Sequence, residues 1–242
     1  MLKDSAFVPT VASTLGAAAL MVAFHALIVS WESKRANEHG DAATNRHHDD
    51  AVVVTLPAWA NDFMDAHKDV VFTSEEQMME VAIALADKNV AEKTGGPFGT
   101  AIFECDTQTG SCKLFSIGMN QVATLHNSTL HGEMTAIQFG QKKLNSFTFG
   151  ANKSLGKEYH LYTSCEPCCQ CLGGTLWSGV SKLVCAASKE DAEAIGFDEG
   201  PVFAESYAAL EKAGVKVVRN CLRQQGAKTL KLYGETGLIY NA

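Results

Sequence analysis

Hydrophobic and polar positions recur with two different periods along the chain, and these periods predict its folded elements. Ser74, followed three residues later by Gln77, is typical of a helix start. Apolar side chains then recur at helical spacing up to about Lys93: Met78, Val81, Ala82, Leu85 and Ala86. Two short strands are predicted next, FGTAIFE and KLFSIGM, separated by the turn-rich stretch DTQTGS. The first part of the domain is therefore predicted to be a helix followed by a hairpin.

The second half of the chain alternates between helical and strand patterns. Helices near 134–143 and 168–177 surround a predicted strand, EYHLYTS. The strand KLVCAAS, a helical patch around Asp191, the helix AESYAALEKAG, the strand VKVVRN and a helix near 222–232 follow. This order predicts an α/β fold, a three-layer α-β-α sandwich with one mixed sheet.

The N-terminal part of the chain differs from the rest. Residues 11–31 carry no formal charge and are about long enough to span a bilayer, although they are rich in Ala and Ser. Residues 32–51 contain almost no large apolar side chains and predict a linker. We therefore divide the chain into an apolar segment at 1–31, a polar linker at 32–54 and a folded domain at 55–242. The apolar segment is interpreted as a membrane tether or as a targeting segment, and Lys34 and Arg35 favour a cytoplasmic domain.

Composition narrows the function classes. A net charge of −7 argues against a nucleic-acid backbone as the main partner, because such proteins usually carry a basic surface. The eight cysteines are clustered rather than spread as in a disulfide scaffold. This clustering predicts metal or reactive-thiol chemistry in a reducing compartment.

Four cysteines lie within TSCEPCCQCLGG: Cys165, Cys168, Cys169 and Cys171. Neighbouring residues cannot all face one ion, so at most two of them are expected to bind a metal. Cys168 and Cys171 are three residues apart at a predicted helix start, where the helix dipole lowers thiol pKa values. We expect Cys165 to be packed or to lie behind the ligands. Cys105, Cys112, Cys185 and Cys221 are interpreted as ordinary thiols.

The remaining ligand comes from LHGEMTAI, in which His131 and Glu133 are two residues apart. H-x-E followed by P-C-x-x-C is the signature of zinc-dependent nucleobase deaminases. Three protein ligands leave the fourth zinc position open, which is typical of a catalytic site. Glu133 is then the expected general acid and base. Either motif alone would be weak, since a lone C-x-x-C also occurs in redox proteins and zinc fingers.

Several stretches of the domain resemble those of a known family. GGPFG at 95–99, LHGEMTAI, YTSCEPCCQCLGG and LWSGVSKLVCAAS are similar to guanine deaminases of the cytidine-deaminase-like superfamily. DAEAIGFDEGP and GLIYNA resemble a bacterial branch that also deaminates aminotriazines such as ammeline. The resemblance covers roughly residues 55–242. It departs from the family at Gly132, where Ala is common, and at 127–130.

The resemblance implies a hydrolase acting on C–N bonds in cyclic amidines, converting guanine to xanthine with one zinc ion per chain. It also implies a small nucleobase substrate, no nucleic-acid partner and a homodimer. Its implied site is His131, Cys168 and Cys171 for the metal, Glu133 and Glu199 for catalysis, and Phe98, Asn120, Gly132 and Trp177 around the base. Tyr240 closes this pocket if the C-terminus folds over it. For Phe98 and Trp177 core packing remains an alternative, as does a turn role for Asn120 and Glu199.

Two other functions compete with this interpretation. A tRNA adenosine deaminase has nearly the same motif, but it must bind RNA. Four of the 20 Lys and Arg and six of the 27 Asp and Glu precede residue 55, which leaves 16 basic against 21 acidic residues in the domain. The other alternative, a non-catalytic zinc-stabilised binding module, would not need Glu133. Cytidine deaminases are a weaker match.

Overall fold

Five strands form the centre of the computed structural model, which describes residues 52–241. The strands are β1 (Gly99–Asp106), β2 (Cys112–Met119), β3 (Lys157–Cys165), β4 (Lys182–Ala187) and β5 (Lys216–Val218), and their order in the sheet is β2-β1-β3-β4-β5. Strands β2, β1 and β3 pair antiparallel, whereas β3, β4 and β5 pair parallel. The prediction of one mixed sheet is confirmed.

Helices connect and cover these strands. They are α1 (Trp59–His67), α2 (Glu75–Ala91), α3 (Val122–Leu125), α4 (Gly132–Leu144), α5 (Cys169–Ser178), α6 (Lys189–Glu193), α7 (Ala204–Lys212), α8 (Arg223–Thr236) and a 3₁₀ helix at Phe149–Leu155. The helices α1 and α3 and the 3₁₀ helix were not predicted from the sequence. The predicted cap of α2 is present: Ser74 Oγ accepts from Gln77 N at 3.3 Å, and Gln77 Oε1 accepts from Thr73 N at 3.2 Å.

Alternate side chains of each strand pack on opposite faces of the sheet. On β1, Ala101 and Phe103 belong to one buried cluster together with Leu85 of α2. Ile102 points to the other face and packs with Ile137 of α4. This period of two divides the core into two apolar layers, one on each side of the sheet. The α-β-α sandwich predicted from the sequence is therefore confirmed.

The hairpin of β1 and β2 contains a disulfide that was not predicted. Cys105 and Cys112 are opposite each other in the ladder, with Cα atoms 4.1 Å apart, and their sulfurs are bonded. The backbone of Cys112 exchanges hydrogen bonds of 2.8 and 2.9 Å with Phe72, so its pair with Cys105 is of the closer, non-hydrogen-bonded kind. Interpreting these two residues as ordinary thiols was wrong, because only the strand register brings them together.

We expect Cys112→Ser to lower the free energy of unfolding by about 2.5 kcal/mol, because removing the cross-link frees a loop of roughly eight residues in the unfolded chain. Urea denaturation in the absence of reductant measures this change. Dithiothreitol should move the parent midpoint to that of the variant and leave the variant unchanged. An equal effect of reductant on both proteins would mean that another thiol pair is responsible.

Residues 52–241 contain no helix long and apolar enough to cross a membrane. The predicted span at 11–31 and the linker up to residue 51 lie outside the part of the chain that the structure describes.

Candidate active site

The H-x-E and P-C-x-x-C motifs meet where two helices begin. His131 is the residue before α4 and Cys168 the residue before α5, and both have extended backbone dihedrals. The Nδ1 atom of His131 lies 3.4 Å from the Sγ atom of Cys168. Together with Cys171, one turn into α5, they form a group whose ligand atoms all lie within 4.8 Å of one another. The structure thus brings together the three ligands predicted from the sequence.

The two thiols of this group differ in their readiness to ionise. A hydrogen bond from Cys171 and the neighbouring His131 lower the pKa of Cys168 to about 4. The hydrogen bond to Cys168, together with burial, raises the pKa of Cys171 well above its usual range. One thiolate is therefore ready at neutral pH, and a metal would displace the proton of the second.

These donors fit a zinc ion. Sulfur and nitrogen ligands at zinc bond lengths of about 2.3 and 2.0 Å lie roughly 3.3 to 3.8 Å apart in a tetrahedron, which agrees with the separation of His131 and Cys168. Cys169 is exposed, and Cys165 is buried with its thiol donating to the carbonyl of Ser188 at 3.5 Å. A second His/Cys group within residues 52–241 consists of Cys105, Cys112 and His160, but the disulfide occupies both thiols.

Glu133 lies beside the ligands in the first turn of α4. Its side chain is buried, and its Oε1 atom accepts a hydrogen bond of 3.2 Å from the hydroxyl of Thr163 on β3. Burial, followed by the nearby Cys168, raises the pKa of the Glu133 carboxyl. A buried carboxyl group held in this way beside the predicted ligands is placed to accept and return a proton, which is what a general acid and base must do.

A cavity of about 480 Å³ opens onto these groups. This volume is in the range usual for small-molecule sites. Six residues predicted from the sequence line it: His131, Glu133, Cys168, Phe98, Asn120 and Glu199. Two of the three predicted metal ligands, both predicted acids and two of the four predicted base contacts therefore line one cavity.

Asn120, directly after β2, presents a defined hydrogen-bonding edge. Its Oδ1 atom accepts from Val122 N at 3.2 Å and from the hydroxyl of Tyr240. Both lone pairs of this oxygen are then used, so the amide nitrogen is the group left to face a ligand. Tyr240 also lines the cavity, so the C-terminal segment does reach it.

Aromatic and acidic side chains complete the walls of the cavity. The ring of Phe98 meets that of Phe197 edge to face, with centroids 5.0 Å apart. Glu199 is only 7% exposed, and its backbone oxygen accepts from the amide of Cys169 at 3.2 Å. Burial, together with the nearby Cys168 and Glu133, raises the pKa of Glu199 to about 8. Glu199 is therefore a buried acid, whereas the sequence left a solvated turn residue as an alternative.

Trp177 is the predicted base contact that lies away from the cavity, whereas the predicted backbone contact of Gly132 stays a prediction. Trp177, in the last turn of α5, is 82% exposed and is neither a core nor a cavity residue. Helical spacing alone could not tell which face of α5 it occupies. Gly132 is buried between the cavity residues His131 and Glu133, and an added Cβ atom there would lie 2.9 Å from Thr100 Oγ1. The close approach of Thr100 explains why this position, commonly Ala in the family that the sequence resembles, is Gly here.

Three contributors were missed or left open by the sequence. Thr163, which holds Glu133, is one of several polar residues of β3 and carries no motif of its own. Phe197 lies in the stretch GFDEG, where a role was predicted for Glu199 but not for Phe197. The hydroxyl contact of Tyr240 with Asn120 joins residues 120 positions apart. A sequence pattern contains no signal for such a long-range pair.

Comparison with known proteins places the chain in a family. Residues 72–187 match a family profile described as "Cytidine and deoxycytidylate deaminase zinc-binding region". The matched residues include His131, Cys168 and Cys171. The guanine deaminase of Bacillus subtilis is 33% identical over 132 residues, which cover 54% of this chain and 76% of that protein. The chain belongs to the cytidine and deoxycytidylate deaminase family.

Two further proteins of known function are similar to this chain. The solved guanine deaminase of Nitrosomonas europaea shares 33% identity and a TM-score of 0.68, with coverage of 78% of this chain and 100% of that one. A tRNA-specific adenosine deaminase of Haemophilus influenzae is 32% identical over 134 residues, which cover 55% of this chain and 69% of that protein. The domain described above is thus a zinc-binding deaminase domain with the fold of guanine deaminase.

Proposed function

We propose that this protein is a guanine deaminase, which hydrolyses guanine to xanthine and ammonia. The observation that carries the proposal is a second buried acid, Glu199, which lines the same cavity as Glu133, His131 and Cys168. Similarity to two guanine deaminases supports the same substrate class. Ammeline and related aminotriazines present the same amidine edge and are further candidate substrates.

The proposed chemistry uses the groups in a definite order. Zinc, held by His131, Cys168 and Cys171, would lower the pKa of a water molecule towards roughly 7. Glu133 is placed to accept a proton from the attacking water, whose oxygen would add to the ring carbon that bears the amine. Glu133 then returns the proton to the amine, which leaves as ammonia. Thr163 holds the carboxylate of Glu133 in place during both transfers.

The other residues that line the cavity would bind the base. A planar purine can stack on an aromatic ring, and Phe98 and Phe197, which pack edge to face against each other, both line the cavity. The amide nitrogen of Asn120 donates to an acceptor on the ring. Tyr240 covers this edge from the C-terminal segment.

Glu199 recognises the donors that distinguish guanine from other bases. Guanine presents an exocyclic amine and a neighbouring ring N–H, and two parallel donors match a carboxylate. Glu133 is engaged with the water proton, so a second acid is needed. With a pKa near 8, Glu199 is mostly protonated at pH 7 before the base binds, and hydrogen bonds from the two donors of guanine would favour its ionised form.

We expect Glu199→Gln to keep zinc and fold while kcat/KM for guanine falls about 10- to 100-fold, because a buried hydrogen bond to a charged group is replaced by a mismatched amide. Steady-state ammonia release measures this. Asp198→Asn is the matched comparison, since Asp198 is at the rim of the same cavity but is exposed, and its carboxylate is occupied by a hydrogen bond of 2.8 Å from Gly200 N. Its kcat/KM should change less than about threefold. Unchanged kcat/KM in Glu199→Gln would refute the assigned role.

The substrate itself is tested by an ammonia-release screen. Protein lacking residues 1–50 is assayed with guanine, adenine, cytosine, their nucleosides and ammeline. We expect guanine to give the highest kcat/KM. A zinc-loaded, folded protein that releases no ammonia from any of them would favour a non-catalytic zinc-stabilised module.

The competing proposal, a tRNA adenosine deaminase, is favoured by the relative from Haemophilus influenzae. The excess of acidic over basic residues after position 54 opposes it, because phosphate contacts need Lys and Arg. Filter binding of tRNA at low salt distinguishes the two. Tight binding together with release of ammonia from adenosine in RNA would replace guanine deaminase by this alternative.

We further propose the arrangement of the whole chain: a cytoplasmic deaminase domain at 55–242, which forms a homodimer and is tethered through residues 11–31. Leu176 and Trp177 on α5 are exposed apolar residues that a second copy could cover. Six cysteines remain free, which suits a reducing compartment, although the Cys105–Cys112 disulfide does not. Light scattering tests the dimer, and membrane fractionation with and without residues 1–50 tests the tether.

A further inference from the structure

A single buried amide joins two walls of the cavity. Asn89, near the end of α2, is fully buried, and its Nδ2 atom donates to the carbonyl of Gly96 at 2.8 Å and to that of Asn120 at 2.9 Å. Gly96 belongs to the loop that carries Phe98, and Asn120 follows β2. The positions of Phe98 on one wall of the cavity and of Asn120 on the other therefore depend on the same side chain, that of Asn89.

The orientation of this amide is fixed by a relay of hydrogen bonds. Trp59 Nε1, which can only donate, lies 3.1 Å from Thr94 Oγ1. The hydroxyl of Thr94 is then free to donate its own hydrogen, and its nearest acceptor is Asn89 Oδ1 at 2.7 Å. The backbone oxygen of Asn89 is a poorer alternative at 3.4 Å. With its oxygen held by Thr94, the side chain of Asn89 must turn both N–H groups towards the two carbonyls.

The loop lies too close to Asn120 for other arrangements. A Cβ atom added to Gly95 would lie 1.7 Å from the carbonyl oxygen of Asn120 and 2.7 Å from Asn89 Nδ2. A backbone hydrogen bond of 3.0 Å from Asn120 N to Phe98 O ties the same segments. The loop is thus pressed against the end of β2, and Asn89 provides the side-chain donor at this contact.

We propose that Asn89, oriented by Thr94 and Trp59, is a positioning residue that sets the spacing of Phe98 and Asn120 and thereby the affinity of the cavity for a planar aminated heterocycle. The inference rests on the proposed function, since it takes Phe98 and Asn120 to contact the base. The metal ligands and Glu133 belong to α4 and α5 rather than to this relay. Substrate binding should therefore depend on the relay, whereas the chemical step should not.

A pair of substitutions at Thr94 tests the relay. Thr94→Val keeps the shape but removes the hydroxyl, so we expect KM for guanine to rise about tenfold with kcat within about twofold of the parent. Thr94→Ser keeps the hydroxyl and should restore the parent KM. Asn89→Asp replaces the two donors by acceptors that face carbonyls, and should raise KM further if it folds. The Thr94 pair decides the matter even if Asn89→Asp does not fold.

Three kinetic results would overturn the proposal: an unchanged KM in Thr94→Val, an equal rise in Thr94→Val and Thr94→Ser, or a fall in kcat at unchanged KM. Equal effects of Val and Ser would mean that the methyl group or the volume matters rather than the hydroxyl. Metal content is measured for each variant, so that zinc loss is not mistaken for weaker binding.

Hydrogen exchange separates failure of this inference from failure of the proposed function. If the zinc-loaded parent releases no ammonia from guanine, the proposed function is wrong, but the relay can still be measured. Amide exchange at Gly95, Gly96, Phe98 and Asn120 should then be about tenfold faster in Thr94→Val than in the parent, and unchanged in Thr94→Ser. Equal exchange in Thr94→Val and the parent would overturn the positioning role.

Discussion

Glu133→Gln should keep its zinc and its fold while kcat for guanine falls by about 10²- to 10⁴-fold. The amide has nearly the size of the carboxylate and can still accept the hydrogen bond from Thr163, but it cannot take a proton from water. General acid and base catalysis contributes a factor of this size. Ammonia release under saturating guanine gives kcat, and metal analysis of the same sample gives the zinc content.

The matched control for Glu133→Gln is Glu104→Gln. Glu104, on β1, accepts a hydrogen bond of 2.8 Å from the hydroxyl of Tyr159 and does not line the cavity. We expect its kcat to stay close to that of the parent, even if its stability falls. Near-normal turnover in Glu133→Gln would mean that another group moves the proton, and Glu199, the other predicted acid of the cavity, would be tested next.

The parts of the fold that the sequence predicted are those with a strong local signal. The strands β1 to β4 alternate between two apolar layers, and α2 has both a cap and a long apolar period. Their existence and the α-β-α layering follow from period and order alone. The helix α1 has only nine residues and no side-chain cap at Ala58, so nothing local distinguishes it from a loop.

The residues of the candidate site also fall into two groups, those that a local motif predicts and those that only packing brings together. Its metal ligands and Glu133 could be found because they lie in short motifs with fixed spacing. The pairs Glu133 with Thr163 and Asn120 with Tyr240 are created by packing, and their members are 30 and 120 positions apart. The cystine of Cys105 and Cys112 likewise depends on the register of a hairpin.

Trp177 shows the limit of arguing from a resemblance. Its neighbours Cys168 and Cys171 do lie at the start of α5 beside His131, but Trp177 is two turns further along and faces outwards. Gly132 shows the converse, because an unusual residue in the motif is explained by a neighbour on β1, Thr100. In both cases the decisive information is three-dimensional.

A pair of serine substitutions in α5 should separate the metal ligands from the other thiols. In Cys171→Ser the zinc content should fall from about one ion per chain to below about a tenth, and activity should be lost with it, because a hydroxyl does not replace a thiolate as a zinc ligand. Cys169→Ser changes a neighbouring thiol of the same helix that is exposed and lies outside the ligand group. We expect it to bind zinc as the parent does.

This comparison also guards against a trivial explanation of zinc loss. Both substitutions place the same residue in the first turn of α5, so a general effect of serine on that helix would lower the zinc content of both variants equally. Equal loss would therefore contradict the assignment of His131, Cys168 and Cys171. We expect zinc to be lost in Cys171→Ser alone, because the buried sulfur of Cys171 is the third protein ligand of the predicted set, which leaves the fourth position to water. The zinc content is measured on dialysed protein that remains folded.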